Sequence, residues 1–529
     1  MAQDDSHWDA IVVGSGFGGG AGALALARAG KRVLILERGP WVARDDTAWD
    51  PRAILLEQKY RSDTPYDAPQ FSGRKLLYPN EVVGGNSIFY GGASLRLREL
   101  DFERRTRYLS DHNLTNGYVD WPISYSALEP YYDEAESLLG VAGLAGTDPT
   151  EPPRSAEYAS APPAFGAASK RLATAAEHLG LRPFHIPLAI NFAGNHGRMR
   201  CIRCMTCDLF PCKLGAKNDI SVTILPEAER LGATIRGRTV VTRLHHERGR
   251  LLGVSGVNLE SGKSFRATSD VTIVSAGTIA SSRLLLASGL EDYARGHRWI
   301  GRYLMRHCSG IVIGIYPFET NPEQIFHKQV AVTDFYDGGK GARGPSGPWG
   351  MIQGLQSPPP EYVRGQAPFP IDRVGAVTLR YQSFLLCIAE DEPQADNRVE
   401  LDTSRRDKLG LPLARLQHGY TRSDRARRRA LLRQAARILR KSGAVLRVRK
   451  TINTFSHAVG ACRFGHDPAT SALDANCRVH GIPNLFVLDG SFMPTSGGVN
   501  PSLTIAANAL RAGKHIAVNW DTYTRANGE

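Results

Sequence analysis

Three glycines near the start of the chain have the spacing of a phosphate-binding turn. Gly14, Gly16 and Gly19 fit the pattern Gly-x-Gly-x-x-Gly. In such a turn the first glycine permits a tight bend and the second lets the backbone approach a pyrophosphate. The third lets a helix pack closely on a strand. Glu37 follows 18 residues after Gly19, close to the usual distance of ~20 residues to an acid that binds ribose hydroxyls. This pattern predicts a dinucleotide site, and by itself it does not separate FAD from NAD.

Four cysteines fall close together, with the spacing C-x2-C-x2-C-x4-C. They are Cys201, Cys204, Cys207 and Cys212. The first three match the iron–sulfur run of bacterial ferredoxins, so four thiolates could converge on one metal centre. Local disulfides, structural zinc and free packing thiols are open alternatives, and we assign no metal ion on this pattern alone. The remaining cysteines are scattered and are expected in the core: Cys308, Cys387, Cys462 and Cys477.

The segments around the glycine turn form a strand–helix–strand pattern. Residues 9–13 and 31–37 are apolar runs typical of buried strands, and the alanine-rich residues 21–29 predict a helix between them. A second glycine-rich segment covers residues 83–92. Residues 234–275 alternate β-type runs with turn residues, which predicts a β-meander that ends in the apolar strand 271–275. Residues 337–370 are rich in loop residues, as an active-site lid or plain surface loops would be.

Composition indicates an ordinary globular protein with one basic segment. The chain has 529 residues, 22% of them charged, and a net charge of +13, so we expect two or three domains. Residues 422–450 hold twelve Lys or Arg and one acid, Asp424. Their apolar residues recur at helical spacing, which predicts an amphipathic surface helix rather than a docking face for a membrane or acidic partner. No aromatic residue lies among these arginines, which argues against nucleic-acid binding.

The sequence shows neither an export signal nor a stretch of ~18 consecutive apolar residues. We therefore expect a cytoplasmic protein without a membrane span.

Three segments near the C-terminus, residues 456–465, 484–494 and 497–505, resemble the signature of the glucose–methanol–choline (GMC) oxidoreductases. These are FAD enzymes that act on alcohols. Residues 83–92 resemble the second flavin loop of the family. Residues 277–290 resemble a further signature, although Ser282 stands where proline is usual. Within the family, the chain is most similar to flavin oxidases of aminoglycoside biosynthesis, of the paromamine 6′-oxidase type. The shared segments are residues 89–94, 187–191, 215–219, 396–399 and 497–501.

The resemblance implies both a mechanism and a set of site residues. His457 takes the position of the catalytic base, and Asn500 takes the second active-site position, where its amide would bond the substrate oxygen. His457 would accept the hydroxyl proton while hydride passes to flavin N5. Residues 86–90 contain no histidine or cysteine, so we expect FAD to be bound non-covalently. The residues expected to contact the cofactor are Gly14, Gly16, Gly19, Glu37, Gly84, Gly85, Asn86, Gly91, Gly92, Val241, Gly277, Asp489, Gly490, Asn500 and Pro501.

The implied fold class is α/β plus α+β, with an antiparallel-sheet substrate domain inserted into a Rossmann-like FAD domain. We expect the FAD domain in residues 1–115, 216–300 and 455–529, and the substrate domain and cap in residues 116–215 and 301–454. The implied activity is oxidation of an alcohol to a carbonyl, on a sugar or an aminoglycoside-like polyol.

Several alternatives stay open. Electrons could pass to O2 or to another acceptor, including through a cluster at Cys201–Cys212 in a dehydrogenase. The substrate could be a sterol or another apolar alcohol, and a redox-silent hydroxynitrile lyase is a further alternative. The oligomeric state is left open.

Overall fold

The computed structural model describes residues 6–69, 76–108, 117–194, 197–338, 344–345, 347–364 and 369–525. Of the loop-rich stretch 337–370, residues 339–343, 346 and 365–368 lie outside this range. The strands are β1 His7–Val13, β2 Val33–Leu36, β3 Tyr66–Asp67, β4 Leu76–Leu77, β5 Val141–Ala142, β6 Phe184–His185, β7 Leu188–Ala189, β8 Thr234–Arg236, β9 Thr239–Glu247, β10 Arg250–Asn258, β11 Ser264–Val274, β12 Gly310–Ile315, β13 Val330–Val332, β14 Gly350–Leu355, β15 Gln382–Ala389, β16 Arg398–Arg406, β17 Pro412–Gln417, β18 Leu446–Thr451 and β19 Leu485–Val487.

Helices of very different length accompany these strands. They are α1 Phe17–Arg28, α2 Glu99–Phe102, α3 Arg104–Tyr108, α4 Tyr125–Leu138, α5 Ala167–Glu177, α6 Ile224–Arg230, α7 Thr278–Leu286, α8 Pro360–Val363, α9 Ile371–Val377, α10 Arg422–Lys441, α11 Ser502–Val518 and α12 Trp520–Thr524.

The sheet that carries the glycine turn is parallel at its centre. Strands β8, β2, β1, β11 and β19 lie side by side in this order and run parallel. Strands β10 and β9 extend β11 as the antiparallel meander that the sequence predicts. All four residues of β2 are buried, as expected for a strand covered on both faces. The strands therefore come from segments far apart in the chain, although the exact domain boundaries stay a prediction.

The predicted helix after the glycine turn begins earlier than expected, at Phe17 rather than at residue 21. Its first turn is glycine-rich because the helix lies directly against backbone. A Cβ at Gly18 would lie 2.2 Å from the carbonyl oxygen of Leu488, and one at Gly19 would lie 2.0 Å from that of Gly14. The glycines at positions 18–20, which the sequence pattern assigns to the turn before the helix, thus form the first turn of the helix.

A second sheet is antiparallel throughout, with the strand order β18-β12-β15-β14-β13-β6. Helix α10 packs on one of its faces. Its side chains Leu432 and Leu439 approach Gly310 and Gly314 of β12, where an added Cβ would lie 3.1 Å and 3.0 Å from them. The alternation of side chains along a strand sends Ile311 and Ile313 to the opposite face, and these residues line a cavity there.

Helix α10 is the amphipathic helix predicted in the basic segment. Its apolar positions are buried against the sheet: Leu431, Leu432, Ala435, Ile438 and Leu439. The structure corrects one part of that prediction, because two charged residues of the helix are not on the surface. Arg427 is fully buried and forms ion pairs with Asp424 and Glu392. The four scattered cysteines are buried, as predicted.

Candidate active site

The glycine turn lies where β1, α1 and β11 meet. Gly14 has φ +99°, and a Cβ there would lie 2.4 Å from the carbonyl oxygen of Ser275, so a larger residue does not fit. A Cβ at Gly16 would meet nothing within 4 Å, because Gly16 borders the open space of a cavity. The N-terminus of α1 follows directly, and its free N–H groups and dipole favour a phosphate.

Glu37 follows β2 and lies at the same end of the sheet. Its carboxylate accepts hydrogen bonds from the Ser15 hydroxyl at 2.7 Å, the Ser15 amide at 3.0 Å and the Gly39 amide at 2.9 Å. Burial raises the pKa of this carboxyl, against the lowering effect of these hydrogen bonds. The Ser15 hydroxyl also accepts from the amide of Gly84 at 2.9 Å. The first glycine turn and the second glycine-rich loop are therefore tied together through one serine.

A single cavity of ≈ 2250 Å³ brings most of the predicted site residues together. It is lined by Gly14, Gly16, Glu37, Gly85, Asn86, Gly91, Val241, Gly277, His457, Asp489, Gly490, Asn500 and Pro501. Three predicted residues are not in its wall. Gly19 packs against Gly14, Gly84 bonds Ser15, and Gly92 packs against Ile190. These three glycines shape the loops around the cavity.

Asp489 lies in the cavity wall, but its carboxylate accepts hydrogen bonds from neighbouring backbone amides. It accepts from the amide of Gly277 at 3.0 Å and from that of Ser491 at 2.9 Å. Burial raises the pKa of this carboxyl. Asp489 therefore joins the loop after β11 to the segment after β19, which is the capping role expected of an aspartate at the start of a helical turn.

Two histidines from distant parts of the chain form a hydrogen-bonded pair. The Nδ1 atoms of His307 and His457 lie 3.0 Å apart. Nε2 of His307 lies 3.0 Å from the carbonyl oxygen of Ser496. Since a carbonyl oxygen can only accept, Nε2 of His307 carries a proton and donates it. Burial lowers the pKa of His307, so its ring is neutral and its Nδ1 has a free lone pair.

The protonation of His457 follows from that of its partner. Nδ1 of His457 must donate to Nδ1 of His307, which leaves Nε2 of His457 as an acceptor. This Nε2 lies 3.5 Å from the amide nitrogen of Asn500, and both residues line the cavity. Burial, with smaller contributions from His307 and Lys328, lowers the pKa of His457 to about 3. His457 is thus a neutral base whose lone pair faces the second predicted active-site residue.

The cysteine segment, residues 201–212, forms part of the same wall through Met205, Asp208, Leu209 and Phe210. Lys217 holds it in place, because its Nζ donates to the carbonyl oxygens of Tyr90, Cys207 and Phe210 at 2.9, 2.9 and 2.7 Å. Cys201, Cys204, Cys207 and Cys212 do not form disulfide bonds. Burial raises the pKa of Cys201 to about 11 and also raises that of Cys207.

The described residues contain no group of three or more His, Cys, Asp or Glu side chains arranged to hold a metal ion. We therefore assign no electron-transfer step to the cysteine segment.

Three residues of the site have no signal in the sequence. His307, Asp208 and Lys328 all line the cavity, and each gains its role from a partner more than a hundred residues away. Single polar residues of this kind are indistinguishable from ordinary ones until the fold is known.

Comparison with known proteins identifies the family of this chain. Two family models, both described as GMC oxidoreductase, match residues 18–309 and residues 393–509. The chain belongs to the GMC oxidoreductase family. This GMC oxidoreductase is 32% identical to 6‴-hydroxyparomomycin C oxidase of Streptomyces lividus and to paromamine 6′-oxidase of Streptomyces fradiae. Each alignment covers 97% of this chain and 92% of the relative. We conclude that the chain is an FAD-dependent alcohol oxidoreductase, as its sequence predicts.

A solved structure confirms the predicted fold class. Pyridoxine 4-oxidase from Mesorbium loti superposes with a TM-score of 0.68 at 20% identity, over 96% of this chain and 99% of that one. In the part of this GMC oxidoreductase that the structure describes, no helix is both long enough and apolar enough to cross a membrane.

The cavity of this GMC oxidoreductase fits FAD. Gly16 leaves room for a phosphate at the start of α1, and the Glu37 carboxylate lies where a ribose is expected. Two buried polar atoms in the cavity wall, Oγ of Ser275 and Oδ1 of Asn500, have no hydrogen-bond partner among the described residues. Buried polar groups are normally paired, so these two atoms are consistent with partners supplied by a ligand.

Proposed function

We propose that this chain oxidises an alcohol to a carbonyl compound with His457 as the general base. The observation that carries the proposal is the pair formed by His457 and Asn500, whose facing nitrogens are 3.5 Å apart in the wall of the cavity. FAD, when bound, supplies the acceptor for the hydride that leaves the carbinol carbon. We propose that FAD is held non-covalently, with its pyrophosphate at Gly14–Gly16, its ribose at Glu37, and its ring system near the remaining predicted contacts.

Each residue around the reacting hydroxyl has a separate role. Nε2 of His457 accepts the hydroxyl proton, because it is the unprotonated nitrogen of the ring. The Asn500 amide donates to the substrate oxygen and holds the carbinol carbon in place. His307 fixes the tautomer of His457 through its Nδ1, and the Ser496 carbonyl oxygen in turn fixes His307. The low pKa of His457 keeps the base unprotonated at neutral pH.

The relatives support a sugar or aminoglycoside-like polyol as the substrate. Two of them are named as oxidases of paromamine and a hydroxyparomomycin, and they match nearly the whole chain. On this basis we propose a polyhydroxylated substrate.

A second candidate, an alcohol with an apolar body, is favoured by the wall of the cavity. One face of the antiparallel sheet contributes an apolar surface made of Ile311, Ile313, Ile315, Leu355, Phe384 and Leu386. An aminoglycoside would leave its many polar groups without partners against such a wall. A compound with one polar end and one apolar end would match both sides of the cavity.

The replacement His457→Ala tests the proposal. We expect anaerobic flavin reduction by a good substrate to slow by about 10²–10⁴-fold, while the FAD content of the purified protein stays the same. His178→Ala, at the exposed end of α5, is the matched control and should reduce flavin at the wild-type rate. Reduction at an unchanged rate in His457→Ala would show that another group is the base. Failure of every alcohol to bleach the wild-type flavin would instead favour the redox-silent lyase.

A further inference from the structure

A buried ion pair lies in the wall of the cavity that also contains the proposed catalytic residues. Nζ of Lys328 is 2.7 Å from Oδ1 of Asp208. The side chain of Lys328 is 5% exposed and that of Asp208 is 17% exposed, and both residues line the cavity. Asp208 belongs to the cysteine segment and Lys328 lies just before β13, so the pair connects two different walls.

Gly91 lies directly against this ion pair. A Cβ at Gly91 would lie 1.7 Å from Oδ1 of Asp208 and 2.0 Å from Nζ of Lys328. The same loop is joined to the segment that carries Asn500, because the Ser502 hydroxyl donates to the carbonyl oxygen of Ala93 at 3.4 Å. Lys328 is also near enough to contribute to the lowered pKa of His457.

The ion pair has hydrogen-bonding capacity that the protein does not use. An ammonium group has three N–H donors, and in the described part of the chain Nζ of Lys328 donates to Asp208. Oδ2 of Asp208 is buried and has no hydrogen-bond partner among the described residues. Buried charged groups need such partners, so the pair can both donate to and accept from a ligand in the cavity.

A hydroxyl group fits this combination better than other polar groups. It can accept from the Lys328 ammonium and donate to the Asp208 carboxylate through one oxygen. A substrate ammonium has no acceptor for Lys328 and is repelled by its charge, whereas a substrate carboxylate is repelled by Asp208. We propose that Asp208 and Lys328 form a subsite for a second hydroxyl of the substrate, so that this enzyme acts on diols or polyols.

This inference rests on the proposed function, in which the first hydroxyl binds His457 and Asn500. The second hydroxyl then forms hydrogen bonds with the ion pair and fixes the orientation of the substrate in the cavity. The rest of the substrate faces the isoleucine-rich sheet. The combination selects a compound with neighbouring hydroxyls at one end and an apolar surface elsewhere.

The first experiment compares matched alcohols with the FAD-loaded enzyme. We expect kcat/KM to be about 10- to 100-fold higher for butane-1,2-diol than for butan-1-ol, the effect of a hydrogen bond to a charged group. Lys328→Met should bring this ratio close to one through loss on the diol. Lys213→Met is the control, because Lys213 forms an ion pair with Asp46 away from the cavity, and it should keep the wild-type ratio.

The second experiment measures binding without turnover. Pinacol and 2,3-dimethylbutan-2-ol have no hydrogen on their carbinol carbons and cannot lose hydride. We expect tighter binding of pinacol to the wild-type holoenzyme, seen as a perturbation of the flavin spectrum, and loss of the difference in Lys328→Met. If Lys328→Met does not retain FAD, Asp208→Ala serves for the same comparison.

The two experiments separate the two proposals. A binding preference for pinacol without oxidation of any alcohol would support the subsite and contradict the proposed oxidation. Oxidation of alcohols with equal kcat/KM for diol and mono-alcohol would overturn the subsite and leave the oxidation in place. Retention of the diol preference in Lys328→Met would also overturn it.

Discussion

Replacing His307 with leucine removes the group that fixes the tautomer of His457. In the wild type, Nδ1 of His457 donates to Nδ1 of His307 at 3.0 Å, and His307 is 1% exposed. Leucine fills a similar volume but offers no acceptor. The proton of His457 then has no partner on Nδ1 and can move to Nε2, the nitrogen that must accept the proton of the substrate.

The size of the effect follows from the loss of one hydrogen bond at a buried site. Leaving a buried donor without its partner costs about 1–3 kcal/mol. At about 1.4 kcal/mol per tenfold change in rate, we expect flavin reduction to slow by about 10- to 100-fold. Substrate affinity should change little, because both ring nitrogens of His307 are already bonded to His457 and Ser496 and the residue acts through His457. A further cost in stability is expected, since the Ser496 carbonyl oxygen loses its donor as well.

The assay is anaerobic stopped-flow reduction of the flavin at saturating substrate, with FAD content and thermal unfolding measured on the same samples. His307→Asn is the informative second variant, because its Oδ1 can replace Nδ1 of His307 as the acceptor for His457. We expect it to recover a large part of the rate that His307→Leu loses. The reasoning is refuted if a folded, FAD-loaded His307→Leu reduces flavin within about twofold of the wild-type rate, or if asparagine recovers nothing.

Two further predictions concern proton binding and the cofactor. Because the base acts unprotonated and its pKa lies at about 3, we expect the rate of flavin reduction to show no acid limb from His457 between about pH 5 and 8; a limb near pH 6.5 that disappears in His457→Gln would contradict this. Glu37→Gln weakens the predicted ribose contact and the bonds to Ser15 and Gly39, so we expect FAD to bind about tenfold more weakly, measured by fluorescence of the released cofactor. The exposed Glu229→Gln is the control for Glu37→Gln, and equal affinities in the two variants would argue against the ribose assignment.

The sequence predicts best the parts of the site that depend on neighbouring residues. The turn at Gly14, the acid after β2 and the meander before the next turn are local patterns, and each forms as expected. Local patterns are less reliable at boundaries. Helix α1 begins four residues early, where Gly18 and Gly19 lie against the carbonyl oxygens of Leu488 and Gly14, and no property of residues 17–20 alone reveals those contacts.

The parts that sequence could not predict depend on contacts between distant segments. His307 and His457 are 150 positions apart, and Asp208 and Lys328 are 120 positions apart. The burial of Arg427 likewise depends on Glu392, which lies in the segment between β15 and β16. A polar residue acquires such a role only when the fold supplies its partner, so residue type and spacing carry no trace of it.

The antiparallel sheet lies between the site and helix α10, which carries most of the basic segment. Helix α10 covers one face of this sheet, where Val312 and Leu385 pack against it. The cavity lies on the other face, where Ile311, Ile313 and Phe384 form its wall. The arginines of α10 are therefore separated from His457 by a layer of apolar side chains and by the sheet itself. The cation that contributes to the lowered pKa of His457 lies instead in the wall of the cavity. It is Lys328, which forms an ion pair with Asp208.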